Sequence, residues 1–254
     1  MKTDKKPGEI YLLPNILTLV NVSFGFLSVL AVFDGNYSRA AFWIVMAAII
    51  DGFDGIIARA TRTHSDYGIH LDSLADAFSF CAVPTILLYF WGFRPVAPSG
   101  SSFFFSLIFL IAAILRLARY NVLQKQKLDR RFYKGLTAPS ASLFIAAIVL
   151  YHPQPLSIKL HTFILAFIVI ALSFCMISNI KYRNFLSFNF RHRIDILRAF
   201  LLAILFISLF IYPKILLLFY FSLNVLSGPS MYFYGLLKNR RQKILLSKAK
   251  EESL

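Results

Sequence analysis

Residues 51–76 read DGFDGIIARATRTHSDYGIHLDSLAD, and five of these 26 positions are aspartate. Apolar runs long enough to cross a bilayer flank the stretch on both sides. A carboxylate at mid-membrane costs about 2.5–3.5 kcal/mol on insertion scales and less near the interface. Charge on this scale needs a compensating partner. Asp51, Asp54, Gly55 and Ala58 fall on one helical stripe, and Gly68, Asp72 and Asp76 on another, because steps of three and four share a face. The linker from Arg59 to Tyr67 is short and polar, which makes the two helices antiparallel neighbours. Their carboxylate stripes can then meet at one depth, near one membrane surface.

Arg59 and Arg62 supply at most two cations against four carboxylates. Divalent ions resolve the imbalance, and oxygen ligands without His or Cys favour Mg2+, Mn2+ or Ca2+ over zinc. The small residues on the stripes leave space beside such ions. Metals, space and basic side chains together suggest a phosphate-bearing substrate. A single buried Asp is commonly structural, but four on two facing stripes interleaved with glycine are poorly explained that way. Asp66 lies off the pattern and fits a solvated position or the cap of the following helix.

The whole chain supports a membrane setting. Its 254 residues are 58% hydrophobic with a mean hydropathy of +0.66, above the apolar share of ordinary soluble domains. The pattern predicts an all-α polytopic protein with about eight transmembrane helices, at 10–33, 39–58, 69–91, 102–123, 137–151, 158–178, 195–212 and 214–236. Residues 1–9 read as a polar cytosolic tail, 10–236 as one transmembrane catalytic domain, and 237–254 as a basic cytosolic tail. Placing the N-terminus inside puts 23 of the 27 Lys and Arg residues in cytosolic segments. Only Arg39, Arg94, Lys159 and Lys214 fall outside, so both termini are expected in the cytosol. The net charge of +15 is then explained by orientation and anionic headgroups, and nucleic acid is not an expected partner. Cys81 and Cys175 stand in apolar segments without CxxC or His partners and read as small core residues.

Written as D-x2-D-G-x2-A-R-x8-G-x3-D-x3-D, the aspartate stretch resembles, without departure, the signature of the CDP-alcohol phosphatidyltransferase family. LPNILTLVN at 13–21, LRLARYNV at 115–122, FYKGLTAPSAS at 132–142 and SNIKYRNF at 178–185 are similar to its serine-using branch. The third stretch departs at Thr137, where that branch leads one to expect Pro, and at Ser140, where one expects Ala. The resemblance covers about residues 10–185 and implies transfer of a phosphatidyl group from CDP-diacylglycerol to the hydroxyl of L-serine, with release of CMP.

It further implies that Asp51, Asp54, Asp72 and Asp76 hold two divalent ions, Mg2+ or Mn2+, with Ca2+ as a bound substitute. Asp76 would complete that site or act as general base. Asn15, Thr18, Asp54, Gly55, Ala58, Arg59 and Gly68 are expected around the CDP-lipid. Asn15 and Thr18 equally suit capping and interhelical hydrogen bonding. Serine's carboxylate calls for a cation, and Arg116 and Arg119 come ahead of Lys134 and Lys181, although membrane anchoring is the common role of such residues. The expected setting is the inner cell membrane, with the site facing the cytoplasm, membrane lipids around it and a second copy making a homodimer. The alternatives are a sister enzyme using inositol phosphate, glycerol phosphate or an archaeal-type CDP lipid and, from another class, a cation transporter.

Overall fold

A computed structural model describes residues 12–61, 66–125, 132–183 and 214–231. The chain begins with α1 (Leu12–Phe33) and α2 (Tyr37–Thr61). Pro14 lies in the first turn of α1, where a missing N–H breaks no helical bond. Asp34-Gly35-Asn36 reverses the chain between these helices. Gly35 takes a φ of 72°, a left-handed value that glycine adopts without strain. Asn36 then caps α2, its Oδ1 accepting the Arg39 N–H at 3.1 Å.

The third span is helical but not uniformly α. It runs through α3 (Asp66–Asp76), a π-helical turn (Ala77–Ala82), α4 (Val83–Leu87) and a second π turn (Leu88–Phe93). Pro84 has no N–H to donate, and Val83 N–H reaches five residues back to the Phe78 carbonyl instead of four. The first wide turn follows Asp76 directly.

Beyond it come α5 (Ser99–Lys125), β1 (Phe132–Lys134), α6 (Ala138–Tyr151), α7 (Lys159–Ile177), β2 (Lys181–Arg183) and, after residues outside the description, α8 (Lys214–Met231). The two three-residue strands pair antiparallel, with Lys134 opposite Lys181. They add a small clasp to an otherwise all-helical architecture, and nothing in the apolar periodicity announced it. Thr137 caps α6, its Oγ1 accepting the Ser140 N–H at 3.3 Å and donating to Ser140 Oγ at 2.7 Å. The two departures from the expected stretch thus work together as one helix start.

Among the described residues five helices are long and apolar enough to cross a membrane: Asn15–Phe33, Tyr67–Phe93, Ser99–Leu123, Lys159–Ile177 and Lys214–Met231. Helix α2 has 25 residues but carries Asp51 and Asp54 in its C-terminal half, and α6 has only 14. The expected span at 195–212 lies outside the described residues.

Helix α1 packs along α2 and also against α3 and the wide turn that follows it, so it stands between the two aspartate-bearing helices. The core gathers Phe80, Leu87, Trp91, Phe93 and Phe109 against alanine-rich faces at Ala40, Ala41 and Ala47, small side chains that let backbones approach. Trp91 Nε1 donates to the carbonyls of His152 and Gln154, at 3.1 and 2.8 Å, fastening the far end of the third span to the α6–α7 loop. Phe163, Phe167 and Phe174 of α7 face outward and are exposed, as acyl chains would require. The chain is a polytopic helical membrane protein.

Candidate active site

The aspartates enter from two helices, and a third helix fixes them. Carboxylate oxygens of Asp51 on α2 and of Asp72 and Asp76 on α3 all lie within 4.8 Å of one another. The expectation that the two stripes meet at one depth therefore holds for three of the four. Asp54 stands outside this set. It is buried, 7% exposed, and its Oδ2 accepts the Thr18 hydroxyl of α1 at 3.1 Å.

One turn further along α1, Asn21 Nδ2 donates to Asp51 Oδ1 at 3.2 Å. Thr18 and Asn21 thus hold one carboxylate each. Asn21 was not among the expected residues, yet Asn15, Thr18 and Asn21 recur at steps of three on one face, a signal the sequence carried. Asn15 is also buried, and its Nδ2 lacks a hydrogen-bond partner.

Three carboxylates this close repel one another and pay for burial unless a cation intervenes. Asp76 Oδ1 is buried with no partner, as expected of an oxygen reserved for a ligand. The donor set is oxygen throughout, and this fits hard divalent ions. Arg116 of α5 acts electrostatically on Asp76; it is buried, 7% exposed, with its guanidinium 5.1 Å from the centre of the Tyr120 ring. Cation and carboxylates lie in one neighbourhood, though far apart in sequence.

Arg119, one turn on, is placed differently. It donates to the Ile177 carbonyl at 3.1 Å and to Asn179 Oδ1, tying α5 to the end of α7. Lys134 and Lys181 are register partners in the strand clasp. Gly55, Ala58 and Arg59 occupy the last turns of α2 after Asp54, and Gly68 is half-buried near the start of α3. A shallow groove between α3 and α5 is lined by His70, Ser73, Leu74, Ile114, Leu117 and Asn121. Its mixed polar and apolar walls suit a molecule with a charged head and a lipid tail.

Comparison with known proteins finds matches along most of the chain. The model of the CDP-alcohol phosphatidyltransferase family matches residues 11–178. A CDP-diacylglycerol–serine O-phosphatidyltransferase of Helicobacter pylori is 30% identical over 234 residues, 91% of this chain and 95% of the relative. An archaetidylserine synthase of Methanothermobacter thermautotrophicus is 32% identical over 188 residues, 72% of this chain and 74% of the relative. A CDP-diacylglycerol–serine O-phosphatidyltransferase of Methanocaldococcus jannaschii is 31% identical over 177 residues, covering 70% and 76%.

Proposed function

The chain belongs to the CDP-alcohol phosphatidyltransferase family, and from that premise we propose that it transfers the phosphatidyl group of CDP-diacylglycerol to the hydroxyl of L-serine, releasing CMP. One observation carries the reading: Asp51, Asp72 and Asp76 converge from two helices to within 4.8 Å. The relative from Helicobacter pylori, similar along nearly the whole chain, supports serine as the acceptor.

Asp51, Asp72 and Asp76, with Asp54 alongside, are the residues that would hold two divalent ions, Mg2+ or Mn2+, with Ca2+ as a substitute. When bound, these ions supply charge neutralisation at a diphosphate whose phosphorus is already surrounded by negative oxygens. The protein's own groups do the rest. Asp76 accepts the proton of the serine hydroxyl, a poor nucleophile until it is deprotonated. Thr18 and Asn21 keep Asp54 and Asp51 in place, so alignment is set before substrate arrives. Gly55, Ala58, Arg59 and Gly68, with Asn15, line the cytidine nucleotide. Arg116, buried beside Asp76, takes the serine carboxylate. Arg119 holds the clasp that carries Lys134 and Lys181, and so frames the acceptor side from behind.

The domain of residues 10–236 would sit in the inner cell membrane as eight spans, with both termini and the active site facing the cytoplasm, and work as a homodimer. A second reading changes the donor alone. The archaetidylserine synthase among the relatives supports an archaeal-type CDP lipid as the donor.

The deciding experiment supplies purified protein with Mn2+ or Mg2+, CDP-diacylglycerol or its archaeal ether counterpart, and one alcohol at a time. CMP release is the readout. Serine-dependent release that stops on chelation is the expected result. Release with inositol phosphate or glycerol phosphate and none with serine overturns it.

A further inference from the structure

Only half of the Asn21 side chain is explained by its bond to Asp51. The residue is fully buried on α1. Its main-chain carbonyl accepts the Ser79 hydroxyl at 3.4 Å, from the wide turn that follows Asp76, while Nδ2 holds Asp51. Asn21 therefore braces both aspartate helices at once. A Cβ on Gly25, one turn further along α1, would lie 2.7 Å from Ser79 Oγ, so glycine there permits the close approach. Yet Asn21 Oδ1 is buried with no hydrogen-bond partner.

Rotating the amide does not help, because it would set the carbonyl oxygen against the Asp51 carboxylate, two acceptors in contact. The amide is planar with its two ends diverging. While Nδ2 addresses Asp51, Oδ1 points away from it, and an ion seated between the aspartates is not its natural partner. Oδ1 needs a donor brought by something else. The second unpartnered oxygen here, Asp76 Oδ1, is also an acceptor, and both residues adjoin Asp51.

We propose that Asn21 Oδ1 receives the ammonium of the acceptor amino acid, which makes Asn21 a specificity-determining residue. The inference rests on the serine-transfer reading given above. In serine the hydroxyl and the ammonium are on adjacent carbons, so the atoms that accept from them must be neighbours, as Asp76 and Asn21 are around Asp51. Arg116 on the Asp76 side takes the third group, the carboxylate. An amino acid is then read at three points.

The test compares L-serine with β-hydroxypropionate, which has the same acid and hydroxyl but no amine, as acceptors for the full-length protein with CDP-diacylglycerol and Mn2+. In Asn21→Ala the preference for serine should fall about tenfold or more, chiefly through KM for serine. Both acceptors should lose kcat, because Asp51 loses its donor, so the ratio of their kcat/KM values is the readout. Asn21→Leu keeps the side-chain volume without the oxygen and should lose the preference as well, and it decides the matter should Asn21→Ala fail to fold. Equal losses on both acceptors, an unchanged preference with a raised Mn2+ requirement, or a preference kept in Asn21→Leu each overturn the assignment. A wild-type protein that releases no CMP with serine instead overturns the underlying reading.

Discussion

Asp76 and Asp72 stand one helical turn apart on α3, yet their substitutions should separate. In the proposed mechanism Asp76→Asn removes a base as well as a ligand oxygen, so serine-dependent CMP release should stay ~10²–10⁴ below wild type even at saturating Mn2+. Asp72→Asn removes a proposed ligand oxygen alone, so the Mn2+ concentration for half-maximal activity should rise about tenfold or more and added Mn2+ should recover most of the rate. A titration of rate against Mn2+ for both variants distinguishes the two roles. Asp54 makes a different prediction because it is held by Thr18 and stands outside the cluster. Thr18→Val is nearly isosteric but withdraws a donor from a carboxylate that is 7% exposed, at a cost of about 1–3 kcal/mol. The thermal unfolding midpoint should drop, and KM for the CDP-lipid should rise while KM for serine holds.

At the scale of elements, what the sequence disclosed followed its periodicities. Steps of three and four between the aspartates were enough to place Asp51, Asp72 and Asp76 together, because helical spacing fixes a face without knowledge of the fold. The role of α1 was legible only in part: Thr18 was expected at the site or in interhelical hydrogen bonding, but packing alone decides that Thr18 and Asn21 meet Asp54 and Asp51 of α2. The π turns after Asp76 were silent, although Pro84 marked a place where the regular bonding pattern had to give way. The strand clasp was missed for a third reason: three-residue strands leave no alternation to detect, and their partners are 47 positions or more apart in sequence. Gly135 is the one strong mark of that clasp. It takes a φ of 82°, and a Cβ there would run into the Met176 carbonyl, while its N–H donates to Ile180 O at 2.8 Å. Gly135→Ala should therefore destabilise the protein by about 1–3 kcal/mol, read as a lowered unfolding midpoint. Thr137→Ala, which only loses the cap of α6, should cost about 1 kcal/mol. A reversal of that order would mean that the clasp carries less of the stability than the helix start.

For the molecule as a whole, charge and chemistry make one combined demand. The aspartates sit in the later turns of α2 and along α3, and the proposed topology sets the segment between those helices on the cytosolic side. The turn at Asp34 lies at the opposite end of α2, which the proposed topology sets on the other side. Serine and CMP are soluble, and a site on the wrong side would be cut off from both. The two native cysteines are buried, so a single introduced thiol can be read against a quiet background. In right-side-out bacterial spheroplasts carrying the protein, Asp34→Cys should react with a membrane-impermeant maleimide directly. Ser65→Cys, in the loop joining the aspartate helices, should react only after permeabilisation. Bound CDP-diacylglycerol with Mn2+ should slow labelling at position 65 and leave position 34 unchanged, because only the former lies in the segment of sequence that joins the two aspartate-bearing helices. If Ser65→Cys labels in intact spheroplasts, the distribution of 23 of 27 basic residues has been assigned to the wrong side, and the cytosolic placement of the site fails with it.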